Sequence, residues 1–146
     1  MSLPTAQATT TVASPLPGAR LLHTMLRVVD LDRSLAFYVD LLGMTVLRVA
    51  TFDEQRFTLV FLGYGPEETH AVLELTYNWD QHAYDKGTAF GHIAIAVGDI
   101  HAATAALAAK GVAVVRPPGP LIGRAEEIIA FVLDPDGYRL ELIQRS

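Results

Sequence analysis

The chain lacks cysteine, an excess of basic charge and any hydrophobic run of membrane-spanning length. None of its 146 residues is cysteine, which excludes disulfides, thiol nucleophiles and thiolate zinc sites and fits the reducing cytoplasm. The formal charge is −5, so we expect no nucleic-acid partner, because binding to nucleic acid needs a basic surface. The apolar run at 128–133 has the length of a strand rather than of a membrane span, and we expect no membrane association.

Length and composition predict one globular domain after a short tail. Half of the residues, 51%, are hydrophobic, and a chain of this length can bury a sizeable core. The first twenty residues are rich in Thr, Ala and Pro and have no continuous apolar stretch. We therefore predict a flexible tail at 1–20 and a single domain at 21–146.

The domain divides into halves with the same predicted order of elements. Each half starts with an apolar strand, continues into a helix that an aspartate can cap, and ends with three strands. The elements predicted for the first half are a strand at 21–29, a helix at 31–43 and strands at 45–50, 57–63 and 71–77. Those predicted for the second half are a strand at 92–97, a helix at 99–110 and strands at 112–116, 128–133 and 138–144.

The predicted fold class is therefore α+β, with two βαβββ modules at about 21–78 and 91–146 joined by a polar and aromatic linker. A four-stranded sheet that has only one helix leaves one of its faces uncovered. We expect the modules to pair for this reason.

The same two residue types recur at matching places of the two modules. His23 opens the first strand of one module and His92 opens that of the other, while Glu74 and Glu141 lie inside the last strands. Because successive side chains of a strand alternate between its faces, all four residues lie on faces distinct from the strongly aliphatic ones. Four such polar groups are costly to bury unless a metal ion satisfies them.

Two imidazoles and two carboxylates also predict the type of metal and reaction. With room for water, they suit an octahedral divalent ion such as nickel, cobalt, zinc or manganese. Such an ion would act as a Lewis acid, and a nearby carboxylate could move a proton. Proton abstraction next to a carbonyl is the reaction that this set of residues favours.

Several motifs together resemble one enzyme family. LLHTMLRV, LGYGPE, LELTYNW, GHIAIAV and DPDGYRLEL are similar to the lactoylglutathione lyases (glyoxalase I) of the vicinal oxygen chelate superfamily, from about Leu21 to Gln144. The resemblance implies isomerisation of the hemithioacetal of methylglyoxal and glutathione into S-lactoylglutathione, a detoxification. It implies that His23, Glu74, His92 and Glu141 are the metal ligands.

The resemblance also implies further roles. Glu141 matches the principal base, with Glu74 as its near-symmetric counterpart, and Arg27 and Asn78 match residues that hold glutathione. Family members of this size are homodimers, in which His23 and Glu74 of one chain would share a site with His92 and Glu141 of the other. The short chain between Glu74 and His92 resembles the nickel-dependent group, so nickel or cobalt is favoured as cofactor, with zinc possible.

Two segments depart from the family, and two other functions stay open. The four residues at 87–90, just before Gly91 and His92, lack the arginine that some longer relatives place there. Residues 117–127 occupy the place of a loop that is rich in glycine and lysine in relatives, and here carry Glu126 and Glu127. Near that end of the peptide thiol, the expected cations are Arg116 and Arg124. One alternative function is another enzyme on this scaffold, such as an epimerase, a thiol transferase or an extradiol dioxygenase. The other is a metal-free module that sequesters a small molecule.

Overall fold

The structure, a computed structural model, describes residues 13–146. Residues 1–12, which belong to the predicted tail, lie outside the described residues, and residues 13–22 contain neither helix nor strand. In the first module the elements are β1 (His23–Val28), α1 (Leu31–Leu35, continued by a π-helical segment, Ala36–Leu41), β2 (Thr45–Phe52), β3 (Phe57–Gly63) and β4 (Val72–Asn78). In the second they are β5 (Ile93–Val97), α2 (Ile100–Ala109), β6 (Val114–Leu121), β7 (Arg124–Leu133) and β8 (Arg139–Gln144).

Each module forms its own four-stranded sheet. The strand orders are β1-β4-β3-β2 and β5-β8-β7-β6. The first and last strands of each module pair in parallel, and the other neighbours are antiparallel. The predicted α+β class and the repeated βαβββ order are therefore confirmed. β1 and β5 are edge strands in this arrangement, so each leaves one row of backbone groups unpaired.

The core lies between the sheets and the helices. Leu75, Leu140 and Leu142 are fully or almost fully buried, as expected from their alternation with the polar residues of the same strands. The helices begin where the sequence predicts, because the side chains of Asp30 and Asp99 each accept a hydrogen bond from the first turn. Within residues 13–146, no helix is both long and apolar enough to cross a membrane.

Two predicted elements differ from the observed ones. The predicted helix at 31–43 widens into π-helical turns after Leu35, with the amide of Leu42 bonded to the carbonyl of Phe37. Helical periodicity does not reveal one extra residue per turn. The prediction of a loop at 117–127 was wrong, because β6 runs through its prolines to Leu121 and β7 starts at Arg124. Proline is tolerated there because β6 is an edge strand with bulges.

The turn between β7 and β8 joins the two modules. Asp134 accepts a 2.6 Å hydrogen bond from the hydroxyl of Tyr38, and both residues are buried. Asp136 accepts from the backbone amide of Val29 at 3.0 Å, and the hydroxyl of Tyr138 donates to the carbonyl of Arg27 at 2.8 Å. The predicted tight turn thus fixes the end of β1 relative to the start of β8.

Candidate metal centre

In the first module, a histidine and a glutamate form a close pair. His23 opens β1, and Met25 is the next residue of β1 on the same face. Glu74 of β4 pairs with Met25. The imidazole Nε2 of His23 is 2.8 Å from Oε2 of Glu74. The glutamate side chain is 13% exposed and the histidine 36%, so the pair lies at an open surface of the sheet.

The second module repeats this pair. The imidazole Nε2 of His92 is 2.6 Å from Oε2 of Glu141, and the side chains are 40% and 12% exposed. His92 lies one residue before β5 rather than inside it, and Glu141 pairs with Ala94 in the parallel ladder. The sequence repeat is therefore a repeat of geometry, down to the nitrogen and oxygen atoms that face each other.

Each histidine also packs against a phenylalanine that the sequence reading missed. Phe61 lies opposite Glu74 on β3, and Phe131 lies opposite Glu141 on β7. The ring of His23 meets Phe61 edge to face at 5.4 Å, and that of His92 meets Phe131 at 5.3 Å. Such contacts restrict ring rotation. The available signal was the recurrence of a phenylalanine on the third strand of both modules.

An ion pair covers the first phenylalanine. The guanidinium of Arg48 lies 3.4 Å from the ring centre of Phe61 and binds the carboxylate of Glu67 through two hydrogen bonds, of 2.7 and 3.1 Å. These bonds hold the pKa of Glu67 below its usual value, and a positive His23 would lower that pKa further. Glu67 is therefore a charged neighbour of the first pair.

The donor atoms of the two pairs fit a divalent metal ion. Two ligand atoms bound at right angles to one ion, each about 2.1 Å from it, are separated by about 3 Å. The observed nitrogen–oxygen separations, 2.8 Å and 2.6 Å, are close to that value. Within each module, however, histidine and glutamate satisfy each other. The cost of burying these polar groups therefore does not by itself require a metal, and the case for a metal depends on donor type and spacing.

The two pairs are not joined within one chain. Across residues 13–146, no group of three or more histidine, aspartate or glutamate side chains is arranged so that it could hold a metal ion. Two cavities of the described chain, of 680 and 650 Å³, are lined by none of the four predicted ligands. The described part of the chain thus contains two separate histidine–glutamate pairs.

The predicted glutathione contacts lie beside the first pair. Arg27 follows His23 and Met25 on one face of β1, and the Arg27 side chain is exposed. Asn78 ends β4, and its amide nitrogen donates a 2.8 Å hydrogen bond to the hydroxyl of Tyr84 in the linker. Both predicted residues are therefore on the face that carries Glu74, with the linker close to them.

The cations expected at the other end of the thiol are already engaged. Arg116 donates three hydrogen bonds of 2.7 to 3.1 Å to backbone carbonyls of β6 and β7. Arg124 lies 3.9 Å from Glu127, which also pairs with Arg145 at 2.8 Å. Glu126 is exposed. The expectation that Arg116 is free to bind a ligand was wrong, because its guanidinium already donates hydrogen bonds to backbone carbonyls along the irregular edge strand β6 and on β7.

Comparisons with known proteins identify the family of the chain. The sequence profile described as "Glyoxalase/Bleomycin resistance protein/Dioxygenase superfamily" matches residues 20–142. A probable lactoylglutathione lyase of Vibrio parahaemolyticus is 54% identical over 90% of this chain and 94% of that protein. The lactoylglutathione lyase of Haemophilus influenzae is also 54% identical, over 87% of this chain and 93% of that protein.

Solved structures give the same result. Glyoxalase I from Zea mays superposes with a TM-score of 0.83 at 46% identity over 87% of this chain, which spans only 45% of the maize protein. A trypanothione-dependent glyoxalase I of Leishmania major superposes with a TM-score of 0.78 at 47% identity, over 87% of both chains. The chain therefore belongs to the glyoxalase/bleomycin resistance protein/dioxygenase superfamily and, within it, to the lactoylglutathione lyases.

Proposed function

We propose that the protein isomerises the hemithioacetal of methylglyoxal and glutathione into S-lactoylglutathione. The observation that carries this proposal is the repeated histidine–glutamate pair, present in a chain whose relatives are named lactoylglutathione lyases. The test is to measure thioester formation from methylglyoxal and glutathione by the purified protein. An active protein contains bound metal, whereas a sequestering module would bind the ligand without turnover.

The residues that would hold the metal are His23, Glu74, His92 and Glu141. A bound divalent ion would act as a Lewis acid and favour loss of a proton next to the carbonyl. Nickel or cobalt is our proposed cofactor, because both suit imidazole and carboxylate donors and the short chain between Glu74 and His92 resembles the nickel-dependent group of the family. Reconstituting the apoprotein with single metals tests this choice, and full activity with zinc would contradict it.

The carboxylates of Glu141 and Glu74 move the proton between adjacent carbons of the substrate. Each carboxylate lies on the open face of its sheet, but only 12% of the Glu141 side chain and 13% of the Glu74 side chain is exposed to solvent. A carboxylate in such a place can take a proton from one carbon and return it to the next. We assign the principal role to Glu141 and the counterpart role to Glu74.

The complete site forms between two copies of the chain. One chain holds its two half-sites apart, and β1 and β5 are unpaired edges next to His23 and His92. Leu21 and Leu22, just before β1, are 81% and 56% exposed, which provides apolar surface for a partner. We propose a homodimer in which His23 and Glu74 of one chain face the partner's second pair.

Mixed dimers test this arrangement. One variant carries His23→Ala and Glu74→Gln, and the other carries His92→Ala and Glu141→Gln. A shared site predicts that each variant is inactive alone and that a refolded mixture regains activity, because a mixed dimer contains one intact set of ligands. A site within one chain predicts no recovery, and that result would refute the shared site.

Glutathione is the proposed thiol, held by Arg27 and Asn78. The guanidinium of Arg27 has no ion pair within residues 13–146, so it is free to bind a carboxylate through two hydrogen bonds. The Leishmania major relative is described as trypanothione-dependent, so the assay compares both thiols. We propose the cytoplasm as the location of the protein. Cell lysis and fractionation should recover the activity in the cytoplasmic fraction.

A further inference from the structure

The linker places a second cation beside Arg27. Two small cavities, of 220 and 240 Å³, adjoin the Arg27 side of β1. Both are lined by Arg27, Tyr84, Lys86 and Tyr138. Lys86 comes from the linker. The sequence pattern did not single it out, because a lysine in a polar loop is ordinarily a solvated surface residue.

Lys86 is exposed and takes part in none of the ion pairs within residues 13–146. Its ammonium lies 5.5 Å from the ring centre of Tyr138, and its stem passes near Gly137. The hydroxyl of Tyr138 in turn holds the carbonyl of Arg27 at 2.8 Å. Tyr138 therefore contacts the ammonium of Lys86 through its ring and the backbone of Arg27 through its hydroxyl, and all three residues line the same two cavities.

The neighbouring hydrogen bonds leave the cations free for a ligand. Asn78 donates to the oxygen of Tyr84, so the phenolic proton of Tyr84 can point to an anion. Asp85 lines one cavity and Asp136 the other. Both carboxylates accept backbone hydrogen bonds, from Gly87 and Val29. The two cavities are thus lined by both cationic and anionic side chains. The cations can bind the carboxylate of an amino-acid head group, and the anions can bind its ammonium.

We propose that Lys86 is a second cationic contact, together with Arg27, for the α-carboxylate of the γ-glutamyl end of the thiol. Lys86 then determines specificity, since the site selects a thiol that carries an anion at this end. The identity of the thiol rests on the proposed function, whereas the closeness of Lys86 to Arg27 does not.

Chemical modification tests the contact without catalysis. The chain has only two lysines, Lys86 and Lys110, and Lys110 caps α2 away from both cavities. Reductive methylation followed by mass spectrometry measures both in one sample. Saturating S-hexylglutathione, an unreactive thioether, is expected to slow modification of Lys86 several-fold and to leave Lys110 unchanged. Equal rates with and without S-hexylglutathione would overturn the proposal.

Kinetics and binding give the second arm. Lys86→Ala is expected to raise KM about 3- to 10-fold, the range for one charged contact at a partly exposed site, with kcat within about twofold. Lys86→Arg should restore most of the loss, and Lys110→Ala should change neither constant. An unchanged KM in Lys86→Ala would refute the assignment.

Modified thiols identify the carboxylate. The glycyl ethyl ester of glutathione keeps the γ-glutamyl carboxylate, so the effect of Lys86→Ala should persist with it. Loss of the effect with the ester would show that Lys86 contacts the glycine end and would overturn the proposal. Calorimetry with S-hexylglutathione separates this result from the proposed function. If the protein binds S-hexylglutathione through Lys86 but does not turn over the hemithioacetal, the proposed lyase function is refuted, whereas the assignment of Lys86 as a ligand contact stands.

Discussion

Removing one hydroxyl group at the junction of the modules should destabilise the whole chain. Tyr38 is fully buried, and its hydroxyl donates a 2.6 Å hydrogen bond to Asp134. Tyr38→Phe keeps the ring and its edge-to-face contact with Phe37, so no large cavity forms. The change leaves one oxygen of a buried carboxyl group without its donor, while the other oxygen keeps its bonds to the amides of Asp136 and Tyr138.

The cost follows from the kind of bond. A hydrogen bond to a charged group contributes about 1.5 to 3 kcal/mol, so we expect Tyr38→Phe to lower the free energy of unfolding by about 2 kcal/mol. For a chain of this size, that corresponds to a fall in Tm of about 4 to 8 °C. Tyr64→Phe is the matched control. It removes a hydrogen bond of similar length at an exposed tyrosine, and we expect it to cost about 0.5 kcal/mol or less.

The effect should also depend on pH. Burial raises the pKa of Asp134 above its usual value, and the bond from Tyr38 opposes that rise. A carboxyl group whose folded pKa is raised stabilises the fold most below its unfolded pKa and loses that contribution as the pH rises through the folded value. Without Tyr38 the folded pKa rises further. The deficit should therefore be largest near neutral pH and shrink toward the ordinary aspartate pKa of about 3.9.

Urea unfolding followed by circular dichroism measures the deficit. Protein concentration and metal content must be equal in all samples, because a partner or a bound ion shifts the apparent stability. The slope against urea should stay the same in both variants. A deficit below about 0.5 kcal/mol at neutral pH, or one that grows on acidification, would refute the role assigned to the Tyr38–Asp134 bond.

Three further predictions concern the site. Glu141→Gln should lower turnover by about 100-fold or more in a folded protein, since the amide cannot accept the proton, and Glu74→Gln should lower it less. Metal content is measured beside the rate, and near-normal turnover of Glu141→Gln would give the base role to another group. Arg27→Ala should raise KM for the glutathione hemithioacetal about tenfold or more, because the contact through two hydrogen bonds is lost. Glu126→Lys, at an exposed position, should change KM little. A larger effect of Glu126→Lys than of Arg27→Ala would instead assign thiol specificity to the acidic segment at 117–127. Removing metal with a chelator should abolish turnover, and nickel or cobalt should restore it more fully than zinc, as judged by rate per bound ion.

The sequence alone determined the fold class and the identity of the paired residues. Aliphatic and polar residues alternate on the strands, and Asp30 and Asp99 mark the helix starts, so local rules were sufficient for most elements. His23 and Glu74 recur as His92 and Glu141 at matching places of the repeat. A repeat in sequence becomes a repeat in geometry because each module folds by the same local rules.

Only the tertiary structure decided which groups touch. Strand register brings Phe61 and Phe131 against the histidines, and the prolines of β6 stay in a strand because that strand is an edge. The engagement of Arg116 with a carbonyl of β7 depends on how β6 and β7 pair. The position of Lys86 beside Arg27 depends on segments distant in sequence. Pattern and propensity report the neighbours of a residue along the chain, whereas a site is made by packing between elements that the chain brings together from far apart.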